Sequence, residues 1–329
     1  MIKVGLLSGW HVHAKGYAKE LVATGRVQIQ GIWDEDQKRG MDWAKEWNTD
    51  FYADLDDLLN TDIDGVVVCT PTNMHKEVIA KAVRAKKHVF TEKVLTAKTE
   101  DALELKEEIE KANVKFVISL PHRTFPKNLY AKQIVDSGVL GEISLLRVRN
   151  AHSGASDKWL PPHFYSMEQC QGGAMIDLGA HPMYLTRWLM GKPDKVYSAF
   201  TNMTGHEVED NAVSVFKYEN GAVAIAETGF MTPASPFSME IYGTKGSLLI
   251  DGKDQGVLQS GKLADTNPPV SGWLKVGSMP KAIRSAVNQW LDAIEFDQPV
   301  EFGIQEAVEL TEMMDRAYAS HEAKTEVDF

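Results

Sequence analysis

Three side chains with acid–base chemistry stand in two distant parts of this 329-residue sequence. Lys93 follows an apolar segment in the first part. Asp177 and His181 lie four residues apart in a later segment that begins with Gly172 and Gly173. An ammonium and a carboxylate–imidazole pair could meet in a cleft between two halves of a protein, where they would hold a substrate and move a proton. The set predicts an enzyme.

The elements that must position Lys93 belong to an alternating pattern in the first part of the chain. Its strands are predicted at 2–7, 27–33, 64–69, 88–91 and 115–119. Helices separate these strands, which predicts an α/β fold with a doubly wound parallel sheet. Ligands of such sheets bind beyond the carboxyl ends of the strands. We therefore expect a dinucleotide-binding Rossmann domain over residues 1–121.

The elements around Asp177 and His181 follow a different pattern, which begins after Pro121. Its strands are predicted at 143–150, 196–202, 212–218, 222–228, 238–242 and 247–250. Glu219-Asn220-Gly221 carries an Asn-Gly hairpin signal between two of them. We expect a mostly antiparallel α+β domain over residues 122–329. Residues 251–276 are predicted to be surface loop, and two late helices are predicted to pack against one of the domains.

Composition narrows the class of protein. The formal net charge of -11 argues against nucleic acid and anionic membrane as partners. Two cysteines form no metal-binding or disulfide pattern, and they fit a reducing cytoplasm. Lys3 interrupts the first apolar run, so we expect no signal peptide. No apolar stretch approaches the ~20 residues of a membrane helix. A cytoplasmic protein is the prediction.

The first strand–helix turn should hold the pyrophosphate of a dinucleotide. Its usual pattern is G-x-G-x-x-G, but Ser8, Trp10 and His13 stand at the glycine positions. Gly9 keeps some backbone freedom, and His11 or His13 could donate to a phosphate. We expect cofactor contacts from the turn; the alternative is that it has lost the pyrophosphate site. The expected contacts are Ser8, Gly9, Trp10, His11 and Val12.

Two further strand ends complete the expected cofactor site. Asp34 ends the second strand, where its carboxylate can accept from both ribose hydroxyls; the alternative role is to cap a loop. Two more carboxylates follow it with no adjacent arginine, so NAD is favoured and NADP is less expected. The third strand ends in small and hydroxyl-bearing residues that leave room for the nicotinamide ribose. The expected contacts there are Thr70, Pro71, Thr72 and His75.

Three motifs in order resemble one known family. They are Thr70-Pro71-Thr72-Asn73-Met74-His75, then Thr91-Glu92-Lys93, then Gly172-Gly173 with Asp177 and His181. This order and spacing resemble the glucose–fructose oxidoreductase / inositol dehydrogenase / rhizopine-catabolism (Gfo/Idh/MocA) family over nearly the whole chain. The resemblance implies a Rossmann domain followed by a domain with a large, open sheet used for oligomer contacts. A homodimer or homotetramer is therefore expected.

The resemblance also implies the activity. Most members of the family oxidise or reduce a hydroxyl or ketone of a sugar, inositol or related polyol with NAD or NADP. The catalytic lysine of the family falls on Lys93, its aspartate on Asp177 and its histidine on His181, and Glu92 falls in its cofactor site. This sequence departs from the family at Val94, where proline is usual, and at the glycine-poor first turn.

The expected chemistry assigns a role to each catalytic group. Neutral His181 would take the proton of a substrate hydroxyl while hydride leaves the carbon. Asp177 would orient that imidazole or bind a neighbouring hydroxyl, and Lys93 would stabilise the developing alkoxide. On a helix, Asp177 and His181 would share one face, but Pro182 favours a helix that begins near His181.

Other side chains are candidates for the substrate pocket. They are His122, Arg123, Trp159 and His163. For Trp159 and His163, a role as anchors of a Pro-broken loop is an equal alternative. His11 and His13 suggest a metal, but two ligands without a partner carboxylate make a poor zinc site, so no metal is expected.

Two other functions stay open on the sequence. Some relatives oxidise a sugar transiently with a retained, recycled NAD and eliminate a glycosidic group without net redox change. The third possibility is a sugar or dinucleotide sensor that has lost catalysis. The altered first turn and Val94 favour a sensor, whereas retention of Lys93, Asp177 and His181 argues against it.

Overall fold

Six short strands, most of them runs of buried apolar residues, form the parallel sheet of the N-terminal half. The computed structural model describes residues 1–251, 256–260 and 272–329. The six strands are β1 (Ile2–Leu7), β2 (Val27–Trp33), β3 (Asp50–Tyr52), β4 (Gly65–Val68), β5 (His88–Thr91) and β6 (Phe116–Ile118). Their order is β3-β2-β1-β4-β5-β6, with every pairing parallel. The predicted doubly wound sheet is confirmed, and the strand order reverses between β1 and β4, where such sheets bind ligands.

Helices cover this sheet and fix where its strand ends lie. They are α1 (Ala14–Ala23), α2 (Gln37–Trp47), α3 (Leu55–Leu59), α4 (His75–Arg84) and α5 (Thr99–Ala112). All four residues of β4 are buried, as expected of a parallel strand covered on both faces. The Asp36 carboxylate caps α2 by accepting the Arg39 backbone N–H at 3.0 Å, which sets the start of that helix.

A late segment of the chain returns to the N-terminal half. Unit 1 consists of Met1–Leu120 together with Arg284–Thr311, and unit 2 consists of Pro121–Ile283 and Glu312–Phe329. The returning segment holds α9 (Ala286–Phe296) and the start of α10 (Ile304–Ala323). Trp290 of α9 is fully buried beside Phe90, with ring centroids 6.0 Å apart. Residues 122–329 were all expected in the second domain, whereas Arg284–Thr311 belongs to unit 1.

Unit 2 is built on a nine-stranded, mostly antiparallel sheet. Its strands are β7 (Ile143–Ala151), β8 (Lys195–Thr201), β9 (Asn211–Lys217), β10 (Val223–Gly229), β11 (Ser238–Gly243), β12 (Gly246–Ile250), β13 (Gly256–Ser260), β14 (Leu274–Lys275) and β15 (Val327–Asp328). Their order is β14-β13-β12-β11-β7-β10-β9-β8-β15, in which only the β7–β10 pairing among those described is parallel. The predicted hairpin is confirmed, since β9 and β10 pair antiparallel around Gly221 at φ 85°.

In its described part, unit 2 also contains three complete helices and the end of α10, and one of the three complete helices carries a predicted site residue. They are α6 (Pro126–Asp136), α7 (Met167–Cys170) and α8 (Ala180–Met190). Helix α8 packs on β7 and β10 of the sheet. The region 251–276 was expected to be loop, but it contains β13 and β14; its residues 252–255 and 261–271 lie outside the described part of the chain.

The two faces of the nine-stranded sheet differ. Alternate residues of β8 are buried, among them Val196 and Phe200, whereas Tyr197 between them is exposed. Val213 on β9 pairs with Ala199 on the same exposed face. Within the described ranges, none of the helices has the length and apolar character needed to cross a bilayer.

Candidate active site

The first turn of unit 1 reaches its shape without the expected glycines. Ser8 adopts a left-handed backbone with φ 72°, a conformation usually left to glycine. Its backbone N–H donates to Trp33 at 2.7 Å, and its hydroxyl accepts the Trp10 N–H at 3.0 Å. At Gly9, a Cβ atom would lie 3.3 Å from the Trp43 ring, so the close approach of α2 favours glycine there. The freedom expected at Gly9 is supplied at Ser8 instead.

Asp34 is buried at the end of β2 and tied to the first turn. Its carboxylate accepts the Gly9 N–H and the Asp36 N–H, each at 2.8 Å. The Arg39 guanidinium donates two hydrogen bonds to the same carboxylate, from Nε at 2.9 Å and from Nη2 at 2.6 Å. The Arg39 guanidinium also pairs with Glu35 at 2.5 Å. The sequence has no arginine next to Asp34, and none was expected to contact its carboxylate. The structure corrects this expectation, because the first turn of α2 places Arg39, five residues along the chain, against Asp34.

A cavity of about 390 Å³ lies beside this arrangement. Gly9, Asp36, Arg39 and Trp43 are among the residues that line it. The cavity is therefore on the β2 side of the first turn, and its aromatic and charged walls could hold a nucleoside. Burial is the largest influence on Glu35 beside it and raises the pKa of that carboxyl.

The end of β4 presents a buried hydroxyl and a buried imidazole. Thr70 is 1% exposed, and its Oγ1 is an unpaired buried polar atom among the described residues. Pro71 is buried, and Thr72 begins a short 3-10 turn. His75 Nδ1 lies 2.7 Å from the Val94 carbonyl and Nε2 lies 3.1 Å from the Thr70 carbonyl. Burial lowers the pKa of His75, and the neutral ring, which has one N–H, donates to one of these two carbonyls.

The end of β5 carries Glu92 and Lys93, both buried. Glu92 Oε1 lies 2.5 Å from His13 Nδ1 and also accepts from the Tyr17 hydroxyl. Glu92 Oε2 accepts the Lys93 backbone N–H at 2.7 Å. Burial alone would raise the pKa of Glu92, but the His11 and His13 imidazoles outweigh it and hold that pKa well below its usual range. The Lys93–Val94 peptide bond is cis.

The structure corrects the reason given for expecting no metal at the two first-turn histidines. A partner carboxylate is present, because β5 delivers Glu92 to them. One ligand atom from each of His11, His13 and Glu92 lies within 4.8 Å of the others.

In unit 2, the half-buried carboxylate of Glu209 shapes the segment that leads to Asp177 and His181. Glu209 accepts the Gly173 and Met175 backbone N–H groups, each at 2.9 Å, and the Tyr318 hydroxyl at 2.6 Å. A Cβ at Gly173 would lie 2.1 Å from the Glu209 carbonyl oxygen, so only glycine fits this approach. Burial raises the pKa of Glu209.

Asp177 and His181 do not share a regular helix. Helix α8 begins at Ala180, with Pro182 in its first turn, and the half-buried Asp177 lies in the preceding turn with its N–H on Gly173 at 3.1 Å. The helix start near His181 is thus where Pro182 indicated. The expectation of one shared helix face is wrong, because proline is compatible with the first turn of a helix but not with its interior.

His181 is 6% exposed and is held by two neighbours in unit 2. Its Nδ1 lies 2.8 Å from the Tyr184 hydroxyl, whose oxygen also accepts the His122 backbone N–H at 3.0 Å. The His122 ring stacks on the His181 ring, with centroids 4.2 Å apart and planes at 11°. A hydroxyl oxygen accepts two hydrogen bonds, so Tyr184 can accept from Nδ1–H as well as from His122 and thereby fix the orientation of the His181 ring. Sequence reasoning missed Tyr184, although its i+3 spacing from His181 was visible.

The other predicted pocket residues have different neighbours. Arg123 lies over the Trp188 ring at 4.9 Å, and Trp159, 55% exposed, packs against His152 with centroids 4.6 Å apart. The His163 ring lies beside the Phe164 ring, with centroids 5.0 Å apart. The structure therefore brings His122 to His181, while Lys93 belongs to unit 1 and Asp177 and His181 to unit 2.

Both halves of the chain match models of known protein families. Residues 4–120 match the model of an oxidoreductase family with an NAD-binding Rossmann fold, and residues 128–249 match the GFO/IDH/MocA C-terminal domain. Among curated proteins, myo-inositol 2-dehydrogenase of Thermotoga maritima is 28% identical over 240 residues, which are 70% of this chain and 67% of that protein. The scyllo-inositol 2-dehydrogenase (NAD⁺) of Bacillus subtilis is 27% identical over 63% of this chain and 59% of its own length.

Solved structures agree over the full length. A protein of gentamicin A biosynthesis in complex with NAD superposes with a TM-score of 0.82 at 25% identity, covering 100% of this chain and 96% of that one. A levoglucosan dehydrogenase with NADH and levoglucosan gives a TM-score of 0.85 at 18% identity, covering 99% of each chain, and supports the fold.

Proposed function

Because the chain belongs to the Gfo/Idh/MocA family of oxidoreductases with an NAD-binding Rossmann fold, we propose that it transfers a hydride between NAD and a hydroxyl or ketone of a sugar, glycoside or polyol. The observation that carries the proposal is the His181 imidazole, which is buried and held through Nδ1 by Tyr184. A base fixed in this way can take a hydroxyl proton as hydride leaves the adjacent carbon.

We assign three side chains to the chemistry. His181 exchanges the substrate proton, Lys93 stabilises the alkoxide, and Asp177 binds a neighbouring hydroxyl. The burial of Lys93 and its place directly after β5 support its role, since charges act strongly where water is excluded. The position of Asp177 outside α8 favours substrate binding over orientation of the imidazole.

We place NAD along the strand ends of unit 1. The adenosine half belongs near Asp34 and the 390 Å³ cavity, and the nicotinamide half belongs near Thr70 and Glu92. The remaining proposed contacts are Ser8, Gly9, Trp10, His11, Val12, Pro71 and Thr72. His75 supports them indirectly, since its ring is bonded to backbone carbonyls. NADP is disfavoured because Arg39 is already shared between the carboxylates of Asp34 and Glu35.

We propose a carbohydrate or polyol as substrate. The printed activities of two relatives, inositol dehydrogenases of Thermotoga maritima and Bacillus subtilis, support this class. His122, stacked on His181, is the pocket residue that the geometry supports most directly. Arg123, Trp159 and His163 remain candidate substrate contacts.

We further propose a cytoplasmic homodimer or homotetramer. The two buried cysteines, Cys69 and Cys170, are not joined in a disulfide, which fits a reducing compartment. The exposed face of the nine-stranded sheet carries Tyr197 and Val213, 45% and 38% exposed, which suit a subunit interface.

Calorimetric titration with NAD and NADP tests the cofactor assignment. We expect tighter binding of NAD, and the absence of binding by either would contradict the proposal. A panel of sugars and polyols, followed by reduced-nicotinamide absorbance, then identifies the substrate class. His181→Ala should lower kcat by at least about 100-fold, whereas the exposed His206→Ala should leave kcat unchanged.

A further inference from the structure

A group of three metal-binding side chains lies in unit 1 on the side of the first turn away from the nucleoside cavity. Gly9 faces Asp34 and Trp43, on the β2 side. The backbone of His11 donates to the Cys69 carbonyl at 3.1 Å, and His13 reaches Glu92 at the end of β5. The turn therefore directs two imidazoles toward β4 and β5, where a buried carboxylate meets them.

The donor set and its spacing suit a divalent cation. We propose that His11, His13 and Glu92 bind one borderline divalent ion of the zinc class when NAD is absent. This site goes beyond the proposed hydride transfer, although it shares His11 and Glu92 with the proposed NAD contacts. Two imidazoles and one carboxylate are a set that zinc uses with open positions left for other ligands. Tetrahedral zinc bonds put neighbouring ligand atoms roughly 3.3 Å apart. His13 Nδ1 lies 2.5 Å from Glu92 Oε1, and His11 Nδ1 lies 3.6 Å from it. His11 Nδ1 also accepts the His13 backbone N–H at 3.2 Å, a hydrogen bond that an ion bound at this atom would replace.

The surroundings of Glu92 hold it in place for an ion. The Tyr17 hydroxyl donates its one proton to Oε1 and accepts from the Ser119 hydroxyl, 2.8 Å away. The Lys93 backbone N–H fixes Oε2. Such outer contacts orient a ligating carboxylate and limit its movement when an ion binds. Binding requires the His13–Glu92 contact to lengthen by less than ~1 Å to reach the zinc spacing.

Exposure gives the ion a route to the site. The His13 side chain is 47% exposed, whereas those of His11 and Glu92 are 6% and 1% exposed. An ion can therefore bind first to His13 from solvent, after which the two buried ligands complete its coordination. A buried carboxylate is costly without a counter-charge, and a bound divalent ion would supply one directly at Glu92.

Cobalt is a direct probe of this site. The full-length protein, freed of metal with a chelator and dialysed, should bind one Co²⁺ and show visible d–d absorbance that Zn²⁺ abolishes. No thiolate charge-transfer band is expected, because the three ligands are nitrogen and oxygen donors. A stoichiometry of zero, or a thiolate band, would overturn the proposal.

Matched variants locate the ion. His13→Gln, at a half-exposed position, should weaken Co²⁺ binding at least tenfold, and Glu92→Gln should do the same. His206→Gln, at an exposed histidine of unit 2, should match the unchanged protein. Far-UV circular dichroism verifies folding, and if Glu92→Gln does not fold, His13→Gln decides alone. Equal affinity for Co²⁺ in His13→Gln and the unchanged protein would contradict the proposal that His13 binds the ion. Since the readout is metal binding, failure of the sugar assay would count against the proposed function and not against this site.

Discussion

At the scale of single residues, the side chains named by the sequence are supported by others that it did not reveal. Tyr184 holds His181, Arg39 holds Asp34, and Glu92 accepts from His13. Tyr184 and Arg39 lie three and five residues from their partners, whereas Glu92 comes from a different strand end, and spacing alone does not show which of these contacts the folded chain makes. Residue type identified the reactive groups, while their geometry depends on hydrogen bonds that only the folded chain defines.

Tyr184→Phe tests the support of His181. The change removes the hydroxyl at Nδ1 but keeps the ring, so the protein should fold with a loss near 1 kcal/mol. We expect kcat/KM on the preferred sugar to fall roughly tenfold and its pH profile to move, because the imidazole loses its fixed tautomer. Tyr242→Phe, on the exposed sheet face, is the control. An unaltered pH profile in Tyr184→Phe would show that the Tyr184 hydroxyl does not fix the tautomer of His181.

Glu209 provides a prediction about pH and stability. Its pKa is raised in the folded protein, so the folded state holds a proton that the unfolded chain has released. The free energy of unfolding should therefore fall as pH rises from the ordinary carboxyl pKa through the raised one. Glu209→Gln should flatten that slope between about pH 4.5 and neutrality, measured by urea unfolding, while the exposed Glu322→Gln should keep it. A steeper slope in Glu209→Gln would reverse the assignment.

At the scale of elements, the apolar periodicity of the sequence predicted five strands of the first sheet and the β9–β10 hairpin. It missed β3, whose three residues are too few to show alternation. It also missed β13 and β14, which lie in a segment rich in turn-forming residues. Helix α9 was foreseen, but its partner was not, since an amphipathic helix does not reveal which sheet will bury it.

Trp290 should be the residue through which α9 stabilises unit 1. It is fully buried against Phe90, and a Cβ at Gly65 would lie 2.7 Å from its ring. Trp290→Ala should lower the free energy of unfolding by about 3–5 kcal/mol, measured by chemical denaturation. Trp273→Ala, at a 48% exposed position, should change it little. A loss below about 1 kcal/mol in Trp290→Ala would mean that α9 is not part of the core.

At the scale of the whole molecule, the exposed face of the nine-stranded sheet governs the proposed assembly. Val213→Lys places a charge at a residue 38% exposed on that face and should convert the oligomer to monomer in sedimentation velocity. Met203→Lys, at a residue 71% exposed outside the strands, is the control and should leave the oligomer intact. A Val213→Lys oligomer of unchanged mass would place the interface elsewhere.

The return of Arg284–Thr311 to unit 1 has a consequence for biosynthesis. A ribosome must extend the chain to Trp290 before the side chain that packs against Phe90 and Gly65 exists. The nucleotide-binding half, although it begins at the amino terminus, can therefore mature only after most of its companion has been synthesised. A fragment ending near residue 121 would expose this apolar surface and need a chaperone or a grafted helix to remain in solution.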